Sequence, residues 1–137
     1  MKKALILLPA TLTLSLTGCH EGVFDNISPI ASAVASWPAE DGKRIEHSLS
    51  PQQLQALTTW LESSRSKWGK CLQTPPGGPV RVSIVHADGS TSSLMILKYP
   101  SGTSNTIQAS HRDTPCALAS FADAEILALR TLLGVPQ

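Results

Sequence analysis

Three cysteines and four histidines carry most of the reactive chemistry in this 137-residue chain. Cys19, Cys71 and Cys116 are odd in number, so an exported chain leaves one without a disulfide partner. His47, His86 and His111 each fall near the end of a candidate strand. Three neighbouring strands would bring them together, with Asp88 or Asp113, as a metal or acid–base cluster. No C-x-x-C pair, H-E-x-x-H, nucleophile elbow, P-loop or dinucleotide fingerprint accompanies them. The carboxylates Glu46, Glu62, Asp88, Asp113, Asp123 and Glu125 are scattered over turns, caps and polar faces, the pattern of solvated charges rather than of a glycosidase pair. The expectation is therefore no metal, no cofactor and no catalysis, with a small hydrolase or metal-binding protein using His47, His86 and His111 as the disfavoured alternative.

The first cysteine is explained by what precedes it. Lys2 and Lys3 stand before an apolar run from Ala4 to Leu16, 13 residues interrupted by Pro9, Thr11, Thr13 and Ser15. That run is shorter than the roughly 20 residues a membrane-spanning helix needs. A charged start, a short apolar core and small residues before a cut describe a secretory signal. Leu16-Thr17-Gly18-Cys19 resembles the lipobox of bacterial lipoproteins: an aliphatic residue, two small ones and the cysteine. The resemblance implies cleavage after Gly18, a thioether-linked diacylglycerol on Cys19 and acylation of the new amino group, with membrane lipid as a partner. Two or more acyl chains anchor stably where one does not. In such lipoproteins an aspartate after the cysteine retains the protein on the inner membrane. His20 stands there, so the resemblance favours the periplasmic face of the outer membrane over the inner one. The competing reading is an ordinary signal with Cys19 as a spare thiol, a liability in an oxidising space.

Removal of residues 1–18 leaves 119, enough for one domain, with nine basic against ten acidic residues. A near-neutral chain offers no electrostatic case for nucleic acid. With Cys19 set aside, Cys71 and Cys116 are expected as a disulfide. Closing a loop of about 46 residues stabilises by up to about 4 kcal/mol in the chain-entropy model.

Residues 19–40 show neither helical nor strand periodicity and read as a lipidated tether before a domain at 41–137, although Val23, Phe24, Ile27 and Trp37 are large for a linker. Asp41-Gly42 signals a turn before a short strand over 43–49. Ser50-Pro51-Gln52-Gln53 is a capping box opening a helix over 51–68, with Leu54, Leu57, Leu61 and Trp68 on one face and Gly69 as its stop. Residues 80–86 and 92–99 alternate around Ala87-Asp88-Gly89-Ser90 as a β-hairpin, and 106–111 gives a third strand. Ser120-Phe121-Ala122-Asp123 caps a second helix over 121–133, stopped by Gly134. The two helix sequences match in part, and each follows a candidate strand holding a histidine, so a duplicated strand–helix unit is one reading. The expected class is α+β: a two-layer sandwich with an antiparallel sheet of 3–4 strands packed by the two amphipathic helices.

"YPSGTSN" (99–105) resembles the Ser-Gly loop of periplasmic lysozyme inhibitors only in its first half, since Thr106 stands where that loop continues with tyrosine. The leading expectation is a non-enzymatic binding or assembly module presenting loops 74–79, 87–91 and 99–105 to a protein partner. An immunity or inhibitor lipoprotein acting against an envelope toxin is the alternative.

Overall fold

The computed structural model describes residues 22–71, 78–98 and 105–136. Cys19, the signal segment 1–18, residues 74–77 and residues 99–104 lie outside the described residues. Among those described, seven strands form one antiparallel sheet: β1 (Ile30–Pro38), β2 (Arg44–Ser48), β3 (Gly69–Lys70), β4 (Val80–His86), β5 (Thr91–Lys98), β6 (Asn105–His111) and β7 (Thr114–Ser120), in the order β2-β1-β4-β5-β6-β7-β3. Two helices, α1 (Pro51–Ser63) and α2 (Asp123–Leu132), bury Leu57, Leu61 and Leu129 in one core with the sheet, joined by Leu133 at the C-cap of α2. The α+β class and the 80–86, 91–98 hairpin are as expected; the strand count of 3–4 is too low.

The tether is the largest correction. Residues 30–38 are a strand flanked on both sides, by β2 and by β4, and Val23 and Phe24 are buried core residues. The domain thus begins before residue 41. Alternation in β1 was invisible because its core-facing residues are Ala33 and Ala35, no more apolar than Val34 on the other face. The same holds in β7, where Ala117 and Ala119 face the core while Leu118 faces outward. Small residues there leave room for the helices lying over them. Pro115, which cannot donate to a ladder, sits at the register shift between β6 and β7.

Both helices are shorter than their patterns predict. Ser50 caps α1 with the expected box: its hydroxyl accepts from Gln53 N (3.2 Å), and Gln53 Oε1 accepts from Ser50 N (2.8 Å). The helix ends at Ser63 rather than Trp68. The hydroxyls of Ser63 and Ser64 donate back to the carbonyls of Trp60 (2.9 Å) and Leu61 (3.2 Å), competing with the backbone ladder. A 3-10 turn at Arg65–Lys67 follows, and Gly69 joins β3 instead of stopping a helix. Trp68, freed from the helix, packs with Phe24, Trp60 and Phe121 at centroid distances of 5.2, 6.4 and 6.0 Å. In α2 the cap is Ala122 rather than Ser120, which remains in β7; Glu125 Oε2 reaches back to Ala122 N (2.8 Å). Gly134, at φ +74°, ends α2, with Val135 N on Arg130 O (3.0 Å) and Gly134 N on Thr131 O (3.1 Å), a Schellman closure. The strand before α2 is β7, which holds no histidine, so the two strand–helix units are not equivalent.

Among the described residues, no helix packs on the opposite face of the sheet. Across it run Val34, Ser83, Ser93 and Ser110 on four adjacent strands, with Ser93 and Ser110 hydrogen-bonded at 2.7 Å. Alternation puts Cys116 on this face, where it stands at disulfide distance from Cys71, Cα–Cα 5.6 Å. The connection from β3 to β4 has three strands to pass. Cys71 fastens its start to β7, and Gly78 fastens its end to β5 through N–H on the Met95 sulfur (2.8 Å). A Cβ at Gly78 would collide with the Ile96 carbonyl, so only glycine fits. Replacing both Cys71 and Cys116 by serine is expected to cost about 2–4 kcal/mol in urea unfolding. A loss within error of zero would show that the bridge does not hold this crossing.

Candidate functional site

The sheet register decides which histidines meet. Val80, Val82, Ile84 and His86 alternate inward on β4, as do Ser92, Leu94 and Ile96 on β5 and Ile107, Ala109 and His111 on β6. Ser92 pairs with His111 and lies beside Ile84, so the core face ends in a row of polar groups. The rings of His86 and His111 stand 5.1 Å apart, edge to face. Ser92 Oγ lies 2.6 Å from His86 Nε2 and 2.6 Å from His111 Nδ1. His86 Nδ1 is 2.7 Å from Ser28 O, and His111 Nδ1 is 3.2 Å from Thr91 O.

Two carbonyls set the proton pattern. A carbonyl oxygen only accepts, so both Nδ1 atoms carry hydrogen. His111 Nδ1–H then donates to Ser92 Oγ and Thr91 O, Ser92 O–H donates to His86 Nε2, and His86 Nδ1–H donates to Ser28 O. Every contact in this chain is satisfied with both rings neutral. Burial, with the neighbouring His86, pushes the His111 pKa below 6.5.

The segment Ser92–His86–Ser28 O has the order of a hydrolytic serine–histidine relay, with a carbonyl in the place of the acid. Its surroundings differ from those of such a relay. Ser92 is 5% exposed and His86 1%, and the serine oxygen is already engaged by both rings. Ser28 borders a groove beside α1, but neither Ser92 nor either histidine lines it or the grooves beside Trp37 and Trp68. The arrangement closes the end of the core with satisfied polar groups.

Of the residues expected to converge, His47 does not. It lies on edge strand β2, with Nε2 3.2 Å from Gln53 Oε1, while Gln53 Nε2 donates to Leu132 O (2.8 Å). A Cβ on Gly134 would stand 3.2 Å from its ring. His47 therefore joins the start of α1 to the end of α2. Asp88 is ion-paired with Arg112 on the surface, and the Ser90 hydroxyl and N–H, followed by Arg112, hold its carboxyl below the usual range. Asp113 is exposed and lines a different groove. No group of three metal-ligating side chains occurs among the described residues. Ser92 and Ser28 escaped the sequence reading. The signal for Ser92 was its place two residues before Leu94, on the inward face of β5.

Compared with known families, characterised proteins and solved structures, the chain matches none of them.

The lowered His111 pKa fixes the sign of a pH effect. Above pH 6.5 the imidazole is neutral folded and unfolded, and its contribution is complete. As pH falls through 6.5 the unfolded chain takes a proton that the folded chain resists, so stability declines until the folded pKa is passed. Unfolding free energies at about pH 7.5 and about pH 5 should show this loss in the wild type and a smaller loss in His111→Asn. Equal losses would remove His111 from the account.

Proposed function

We propose that this chain is a bacterial lipoprotein held on the periplasmic face of the outer membrane by acylated Cys19, and that its α+β domain is a non-enzymatic binding module for a protein partner. The lipobox Leu16-Thr17-Gly18-Cys19 behind Lys2-Lys3 and a short apolar run carries the anchoring part of the proposal. The cysteine arrangement supports it, because Cys71 and Cys116 stand at disulfide distance and leave Cys19 as the odd thiol. Such a pair suits an oxidising compartment.

Binding rather than catalysis is favoured by the state of Ser92, the one hydroxyl beside an imidazole among the described residues. Ser92 is buried and fully occupied within the fold, where a nucleophile needs an approach for substrate. Surface remains for a partner on the helix-free sheet face and on the Asp88-Gly89 turn between β4 and β5, one of the three loops singled out from the sequence.

Labelling of producing cells with a palmitate analogue tests the proposal. Label is expected on the wild type and absent from Cys19→Ala, with the variant released to the soluble periplasmic fraction. Label that persists in Cys19→Ala would end the lipoprotein reading.

A further inference from the structure

The position of Gly22 sets how far this domain can stand from a lipid on Cys19. Val23 and Phe24 are core residues, at 5% and 2% exposure, and Gly22 N donates to Asp25 (2.6 Å). Only three peptide steps separate Cys19 from Gly22. Fully extended, they reach about 11 Å. Flexible linkage over 19–40 would have let the domain turn freely above a membrane; a span of three peptide steps restricts which corner faces it.

That corner carries a groove of about 670 Å³ whose walls include Gly22, Trp68, Lys70, Pro115 and the Cys71–Cys116 pair. Trp68 is half-buried, its ring forming one wall of the groove. A half-buried tryptophan ring on the wall of a groove this close to a lipid anchor suits a membrane–water interface. Lys70 is exposed at the rim, with a stem long enough to lie along apolar surface while its ammonium stays in water.

We infer that the domain rests on the bilayer by this corner, and that the lipid interface around acylated Cys19 occupies the groove beside Gly22. The inference rests on the lipoprotein proposal. It also orients the molecule. The β6–β7 turn with Arg112 and Asp113 lies at the membrane end of the sheet, because His111 pairs with Thr114 there and Ile30, at the start of β1, pairs with His86 at the same end. The β1–β2 turn with Asp41 lies at the other end, beyond Trp37. Ile30 and Trp37 are separated by about 23 Å along the strand. The exposed Ser83 and Ser93 on the helix-free face then stand side-on to the bilayer, toward the periplasm.

The test uses the full lipidated protein in vesicles of phosphatidylethanolamine and phosphatidylglycerol doped with a doxyl-labelled phospholipid. Asp113→Cys and Asp41→Cys, both at exposed positions, are each tagged with an environment-sensitive fluorophore, and the mass of the Cys19 peptide is measured on the same samples. With lipid present on Cys19, quenching several-fold stronger at position 113 than at 41 is expected. Equal quenching at both positions, or stronger quenching at 41, with lipid on Cys19 overturns the orientation alone. An unmodified Cys19 overturns the lipoprotein proposal and the orientation with it.

Discussion

The seating of Phe24 against Trp68 is the contact on which the arrangement of this domain depends. The rings meet edge to face at 5.2 Å, and Phe24 is among the largest fully buried side chains. An aromatic pair of this kind adds about 0.5–1.5 kcal/mol beyond the area it buries. Its larger effect is topological. With Phe24 fixed, the chain runs beneath the end of the sheet, where Ser28 O accepts from His86 and Ile30 enters the ladder beside β4. β1 is then wedged between β2 and β4, and Ala33 and Ala35 contribute to the floor under the helices. The His86–Ser92–His111 chain is thus complete only when the N-terminal segment is in place. The polar end of the core and the entry of the chain are one structure.

The two faces of the sheet are built from different materials for different reasons. Beneath the helices, alanines on β1 and β7 flank larger residues on β4, β5 and β6, so that Leu57, Leu61, Leu129 and Leu133 pack closely over the sheet. On the other face, Ser83, Ser93 and Ser110 form a row across the central strands, and the connection to β4 is fastened at Cys71 and at Gly78. Arg44 on edge strand β2 adds a third fastening, donating to Ser36 O (3.0 Å), Ser36 Oγ (2.9 Å) and Pro79 O (3.1 Å). Covalent and polar ties hold this face where no helix covers it.

Elements with strong local chemistry were legible in the sequence. The Ser50 box, the Asp88-Gly89 hairpin and the Gly134 stop each follow from a residue type that few other conformations accommodate. What escaped was decided by partners distant in sequence. β1 and β7 place alanine inward, so hydropathy contrast between their faces vanishes. Trp68 matched the apolar arc of α1 yet left it, because two serines compete for the last carbonyls and Phe24 and Phe121 offer a better burial. For the candidate site, the sequence put His86 and His111 near strand ends, but only the strand order shows them meeting through Ser92. His47 shared every local feature of the other two and lies on an edge strand two places from β4. Nothing local distinguishes it.

Amide hydrogen exchange on residues 30–38 tests the central claim, that the N-terminal segment belongs to the fold, most directly. Backbone N–H groups of Ser32 to Ser36 that hydrogen-bond to β2 and β4 should be protected to the same degree as those of β4 and β5, exchanging only on global unfolding. Exchange of these amides at the rate of an unstructured peptide, with β4 and β5 still protected, would contradict the account.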